Sequence, residues 1–68
     1  MILADKIIAL RKKAGMSQEQ LAEHAGLNRS YVGEIERGEA IASIVTADKI
    51  ARAFDVSISM LLPGVYVT

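Results

Sequence analysis

Apolar residues recur at intervals of three and four along most of the chain, which is the spacing that one face of an α-helix produces. The first run predicts a helix over residues 3–13, and Gly15 follows as its stop. Its inward stripe consists of Leu3, Ile7, Leu10 and Ala14.

From Ser17 to Gly38 the chain has the pattern of two short helices joined by a tight turn. Ser17 is a good N-cap for the first helix, and Gln20 three residues later can complete a capping box. Gly26 can adopt the positive φ that ends this helix, and Asn28 can cap the second helix before Gly38 ends it. The inward residues of the pair are Leu21, Ala22, Ala25, Leu27, Val32 and Ile35.

The C-terminal part of the chain predicts a fourth and a fifth helix. Ser43 can cap the fourth helix, which Asp55 ends, and Ser57 can cap a short fifth helix. The inward residues of these two helices are Ile44, Ala47, Ile50, Ala51, Phe54, Leu61 and Leu62.

Pro63 and Gly64 end the globular part, so the sequence predicts one all-α domain over residues 1–62 and a short tail over residues 63–68. A composition of 51% hydrophobic and 24% charged residues argues against a disordered chain, and 68 residues leave room for one domain. No apolar run exceeds four residues, and the N-terminus lacks the pattern of a signal peptide. The expected location is therefore cytoplasmic, with no membrane partner.

The two central helices resemble the helix-turn-helix of the Cro and phage-repressor family, and the resemblance extends from about residue 7 to residue 62. The residues that carry it are Gln18, Leu21, Ala22, Ala25, Gly26, Leu27, Val32 and Ile35. It implies a five-helix, lambda-repressor-like domain in which helices 2 and 3 form the helix-turn-helix. It also implies a regulator of transcription, without catalytic activity, that binds double-stranded DNA as a homodimer on a palindromic operator.

The resemblance further implies that Arg11 and Glu36 form a structural ion pair. Residues 28–38 also look like the controller proteins of restriction-modification systems. The sequence does not decide between a controller protein and a phage repressor.

The outer face of the second central helix is the part that the resemblance places toward the major groove of DNA. Its residues are Asn28, Arg29, Ser30, Gly33, Glu34 and Arg37. Arg29 is the strongest candidate for reading a base, because its planar guanidinium can donate two hydrogen bonds to guanine. Glycine at position 33 lowers the stability of the helix by about 1 kcal/mol relative to alanine. It either allows the backbone to approach DNA closely or is simply tolerated. Glu34 could accept from cytosine, or it could be a solvated charge.

Gln18 and Tyr31 are candidates for contacts to phosphate. Gln18 is at the positive end of its helix, where its amide and the free backbone N–H groups can hold a phosphate oxygen. The Tyr31 hydroxyl can bind a phosphate, or the ring can pack on the helix pair with its hydroxyl in water.

The charge of the chain is unlike that of most nucleic-acid-binding proteins. Eight Lys and Arg balance eight Asp and Glu, and the isoelectric point is near 6.5. Residues 1–14 have a net charge of +3, whereas residues 17–39 contain two Arg and five Glu for a net charge of −3. This distribution predicts few phosphate contacts. It leaves open a second function, a protein-interaction or antitoxin-like module of the same fold with weak DNA binding.

Catalytic and metal chemistry have no support in the sequence. His24 has Glu and Gln neighbours but no second His or Cys, which favours an exposed histidine over a metal ligand or a pH switch. Glu34, Glu36 and Glu39 are interpreted as surface charges, because an acid–base pair needs a shared cleft. No cofactor, metal or small-molecule ligand is therefore expected.

The C-terminal part also carries apolar residues at positions predicted to face outward. The family commonly has charged residues where Val45 and Met60 stand. The candidate dimer contacts are Ile41, Val45, Met60, Val65, Tyr66 and Val67. A second copy of the chain would bury this surface. The alternative is a longer chain whose missing part covers it.

Overall fold

The computed structural model describes residues 2–61 of the chain. These residues contain four α-helices and one 3-10 turn. The elements are α1 (Ile2–Lys13), α2 (Gln18–Ala25), α3 (Arg29–Glu36), α4 (Ile44–Ala53) and the 3-10 turn (Ile58–Leu61). Leu62 and the tail residues Val65, Tyr66 and Val67 lie outside the described residues, and so does the predicted domain boundary at residue 62.

The prediction of five α-helices is wrong in its last element, which is a 3-10 turn of four residues. Ser57 starts it as predicted, since its carbonyl accepts from the N–H of Met60 at 3.0 Å and its hydroxyl accepts from the N–H of Ser59 at 3.3 Å. The short segment closes with an i→i+3 hydrogen bond, which needs fewer residues than the i→i+4 bond of an α-helix.

The predicted N-caps of the central helices and of α4 are confirmed. Ser17 forms a capping box with Gln20, in which each side chain accepts from the other residue's backbone N–H, at 3.0 and 2.8 Å. The side chain of Asn28 accepts from Ser30 N at 2.7 Å, and that of Ser43 accepts from Thr46 N at 3.3 Å. Each cap satisfies an N–H that has no partner within its helix.

All four α-helices end in the same way, with a residue of positive φ followed by a hydrogen bond that reaches back five residues. The positive-φ residues are Gly15, Gly26, Gly38 and Asp55. The returning bonds run from Met16 to Arg11, Leu27 to Ala22, Glu39 to Glu34 and Val56 to Ala51, with lengths of 2.8–3.0 Å. Three glycines adopt this conformation without steric cost, whereas Asp55, at φ 57°, is the one described residue with a side chain to do so.

Substitutions at Asp55 are expected to change stability in opposite directions. Asp55→Gly removes the steric cost of the left-handed conformation and should raise the free energy of unfolding by up to about 1 kcal/mol. Asp55→Val places a β-branched residue there and should lower it by about 1 to 2 kcal/mol. Urea denaturation of both variants measures the difference, and a valine variant as stable as the original chain would contradict the assignment.

The core lies between the helices, with α2 packed against α3 and α4, and α1 packed against α3 and the 3-10 turn. The largest fully buried side chains are Leu3, Ile7, Leu21, Val32, Ile35, Ile50 and Leu61. All of them belong to the predicted inward set. Leu10, Leu27 and Phe54, which were also predicted to face inward, are partly buried against this core. The helical spacing of apolar residues therefore predicted most of the core residues.

Two predicted core positions are wrong. Ala14 is exposed because α1 ends at Lys13 and the chain turns away. Ile44 is 37% exposed because it is the first residue of α4, while Ala42 in the preceding loop joins the buried core. Ala4 is also buried without having been predicted. None of the described helices is long and apolar enough to cross a membrane.

Candidate nucleic-acid interface

A shallow concave surface of about 450 Å³ lies between the first residue of α2 and the outer face of α3. The residues that line it are Gln18, Arg29, Ser30, Gly33, Glu34 and Arg37. Every one was predicted from the sequence as a DNA contact. We call this surface the α2–α3 concavity.

The other two predicted DNA contacts do not line the α2–α3 concavity. Asn28 is exposed, and its side chain caps α3. Tyr31 is half-buried, and its hydroxyl lies 3.4 Å from the carbonyl oxygen of Ile41 and 3.5 Å from the hydroxyl of Thr46. The Tyr31 hydroxyl therefore lies at the junction of α3 and α4, away from the concavity.

Beneath the concavity, the buried carboxylate of Glu36 receives hydrogen bonds from α1 and α2. Arg11 donates from Nε to Oε2 at 2.7 Å and from Nη2 to Oε1 at 3.0 Å, forming the two-point pair that suits a guanidinium and a carboxylate. The Glu36 side chain is only 4% exposed. The pair that the resemblance implied is therefore present, and the interpretation of Glu36 as a surface charge is wrong.

Arg11 connects three parts of the fold. Besides its two bonds to Glu36, its Nη1 donates to the backbone carbonyl of Met16 at 3.1 Å, in the loop before α2. The hydrogen bond to Glu36 raises the pKa of the Arg11 guanidinium above its ordinary value. Arg11 consequently joins the end of α1, the loop before α2 and the end of α3.

Gln18 takes part in the same network, which the sequence did not indicate. Its Nε2 donates to Oε1 of Glu36 at 3.0 Å. A carboxylate only accepts hydrogen bonds, so this contact requires the NH₂ group of Gln18 to face inward. The opposite side of the amide, Oε1, lies 3.7 Å from the position that a Cβ on Gly33 would occupy. Gln18 therefore has its acceptor oxygen on the side of Gly33, while one of its two amide N–H donors is used by Glu36.

The first turn of α3 carries an arginine that is available to a ligand. Arg29 is exposed and has no ion-pair partner among the residues that the structure describes. Ser30 beside it is also exposed, although its backbone N–H is used by the Asn28 cap. A guanidinium at this end of the concavity can form the paired hydrogen bonds that guanine accepts.

The other end of α3 carries a second arginine that already has a partner. Nη2 of Arg37 lies 3.0 Å from Oε1 of Glu39, and the two side chains are 56% and 57% exposed. The hydrogen bond to Glu39 raises the pKa of Arg37 above its ordinary value. Because both groups are solvated, water and salt weaken this pair.

Gly33 lies between the two arginines and is buried. A Cβ built on Gly33 would stand 2.9 Å from Nη1 of Arg37. The Arg37 side chain therefore lies against the backbone of α3 at the place where another residue would have its first side-chain atom.

Apolar side chains are exposed elsewhere on the surface. Ile41 and Val45 are each 62% exposed, and Met60 is 52% exposed. Their outward orientation is as predicted, and Ile44 at the start of α4 adds to them. The described residues contain no group of three His, Cys, Asp or Glu side chains that could hold a metal ion.

Known proteins resemble this chain over most of its length. The control protein C.SmaI of Serratia marcescens is 41% identical over 61 residues, which cover 90% of this chain and 73% of that protein. The immunity repressor protein of Bacillus phage phi105 is 37% identical over 62 residues, which cover 91% of this chain and 43% of that protein. This chain therefore spans less than half the length of the phage repressor.

A solved structure has the same fold. The crystal structure of the restriction-modification controller protein C.AhdI from Aeromonas hydrophila matches with a TM-score of 0.86 and 42% sequence identity, covering 88% of this chain and 91% of that chain. A helix-turn-helix family model, HTH_3, matches residues 7–61, nearly the extent over which the sequence resembles the Cro and phage-repressor family. The chain belongs to the HTH_3 helix-turn-helix family.

Proposed function

We propose that the chain is a transcriptional regulator that binds double-stranded DNA sequence-specifically, as a homodimer on a palindromic operator. The α2–α3 concavity carries this proposal, because it gathers predicted contacts from two helices on one face. Relatives named as control and repressor proteins support it. No catalytic step is part of the proposed function.

Arg29 is the residue to which we assign base recognition. It is exposed in the first turn of α3, the end of a recognition helix that enters the major groove. The ordered core beneath α3 fixes the direction in which this side chain leaves the helix, since Val32 and Ile35 are each 1% exposed. A rigid helix end with an unpaired guanidinium is suited to reading guanine.

Dimerisation completes the proposed mode of binding. The exposed side chains of Ile41, Val45 and Met60 provide apolar area that a second copy can bury. Two-fold pairing would place two copies of α3 roughly 34 Å apart, which is one turn of duplex DNA. The operator would then consist of two inverted half-sites read together.

The salt dependence of binding is expected to be shallow. Each phosphate that a protein neutralises adds about 0.9 to the slope of log affinity against log salt. The described part of the recognition face has only two arginines, Arg29 and Arg37, and Arg37 also pairs with Glu39. Fluorescence anisotropy with a selected duplex at several salt concentrations measures the slope of log affinity against log salt. The magnitude of this slope should be well below about 10, the value of a strongly basic repressor.

Arg29→Ala is expected to weaken operator binding by about 1 to 3 kcal/mol per half-site and to relax preference at one base pair. Arg29→Lys is the matched control, because it keeps the charge but loses the planar fork. The lysine variant should keep the salt slope and lose the base preference. Competition binding against duplexes changed at single base pairs measures the base preference, and the same titration at several salt concentrations measures the salt slope. Unchanged base preference in Arg29→Ala would show that Arg29 does not read a base.

A protein-interaction module is the second candidate function, and the acidic central segment favours it. Residues 17–39 have a net charge of −3, and Glu39 pairs with Arg37, one of the two arginines on the recognition face. Such a module would bind duplex DNA weakly and without sequence preference. Equal binding of selected and random duplex at low salt would favour this second function.

A further inference from the structure

Three positions of α3 and its C-cap lie on one line along the outer face of the helix. Arg29, Gly33 and Arg37 are spaced i, i+4 and i+8, so each is one turn from the next. The line is about 12 Å long at 1.5 Å per residue. It has a guanidinium side chain at each end and no side chain in the middle.

The backbone conformation of Gly33 does not require glycine. Gly33 has no positive φ, unlike Gly15, Gly26 and Gly38, which end helices. Glycine is unfavourable inside a helix because it loses more conformational freedom than alanine on folding. A local conformational need therefore does not explain this glycine.

The space beside Gly33 is occupied by Arg37. The nearest atom to a Cβ at position 33 would be Nη1 of Arg37, at 2.9 Å, which is closer than real Cβ contacts. The next atoms are Cζ of Arg37 and Oε1 of Gln18, both at an ordinary 3.7 Å. On its other side Arg37 pairs with Glu39, where Nη2 lies 3.0 Å from Oε1.

We propose that Gly33 is a positioning residue for DNA recognition, because its missing side chain leaves the space in which the guanidinium of Arg37 lies along α3. Nη2 is used by Glu39, whereas Nη1 lies against Gly33, and both Arg37 and Gln18 line the concavity. Arg37 can therefore donate from Nη1 to a phosphate or a base acceptor while Nη2 stays paired with Glu39. This inference rests on the proposed DNA-binding function.

A double-mutant cycle tests the inference. Gly33→Ala should weaken binding of the selected duplex by about 10-fold, the size of one charge-assisted hydrogen bond. The melting temperature should stay the same or rise, because alanine favours the helix and the crowded atom is the end of a flexible side chain. In an Arg37→Ala background, Gly33→Ala should have no further effect on binding.

Two results of this cycle would overturn the inference. A Gly33→Ala variant that binds like the original chain would show that the position of Arg37 is unimportant. Equal weakening in both backgrounds would show that DNA approaches the bare backbone of α3, so that the methyl group itself blocks it. Failure of the original chain to discriminate the selected duplex would instead contradict the proposed function.

An NMR spectrum of the protein without DNA tests the position of Arg37 independently of DNA binding. The guanidinium NMR resonances of Arg37, identified by their loss in Arg37→Ala, should differ from those of the exposed Arg29. In Gly33→Ala they should move toward the values of Arg29. Resonances of Arg37 that already match those of Arg29 in the original chain would overturn the inference whatever the DNA measurements show.

Discussion

Arg11→Ala is expected to lower the free energy of unfolding by about 3 to 5 kcal/mol. The reason is the position of its partner, since the Glu36 carboxylate is 4% exposed and would be left with Gln18 as its only side-chain donor among the described residues. A buried charge without compensation is among the most destabilising defects that a single substitution creates. Urea denaturation followed by circular dichroism measures the change.

A surface ion pair of the same chain provides the matched control. Arg52 and Asp48 are four residues apart on α4, with the Arg52 side chain 79% exposed. Arg52→Ala should cost only about 0.3 to 0.5 kcal/mol, because water and salt screen an exposed pair. If Arg11→Ala costs no more than Arg52→Ala, the network around Glu36 does not hold the helices together.

Met60→Glu is expected to abolish self-association at tens of micromolar and to weaken operator binding, with little change in helix content. Met60 is 52% exposed in a single copy, so the free chain can accommodate a carboxylate at this position. In a two-fold interface the same carboxylate would be buried without a partner, at a cost of about 3 to 5 kcal/mol. Sedimentation velocity and duplex titration measure the two losses.

Met60→Leu is the control for this substitution, because it conserves apolar character and approximate volume. It should associate and bind DNA like the original chain. A Met60→Glu variant that dimerises normally would show that Met60 is not part of the dimer interface. A monomeric mass for the original chain at tens of micromolar would instead support a surface that another part of a longer protein covers.

Most of the fold was predictable because it depends on local signals. The caps at Ser17, Asn28 and Ser43 act within three residues, and the helix ends need one residue of positive φ. The errors in the predicted core arise where packing between elements, rather than a sequence pattern within one helix, decides which residue is buried. Helical spacing assigned Ile44 to the core, whereas the loop before α4 places Ala42 there instead.

The sequence predicted which residues line the candidate site, but it did not predict the contacts that these residues make with one another. Helical spacing and family resemblance placed the outward residues of α3 on one face, and these now line the α2–α3 concavity. The hydrogen bond from Gln18 to Glu36 joins residues 18 positions apart, so it depends on how the helices pack. The position of Arg37 over Gly33 likewise depends on the rotamer of one long side chain and on Glu39 beyond the helix end.

The central claim is that two copies of α3 read a palindromic duplex. Selection of bound sequences from a random DNA pool, followed by titration of the enriched duplex and a scrambled version at one salt concentration, tests this claim most directly. The proposed function predicts an inverted repeat with half-sites about 10 base pairs apart, bound at least about 10³-fold more tightly than the scrambled duplex. Selection that enriches no sequence, or equal affinity for the two duplexes, would contradict it.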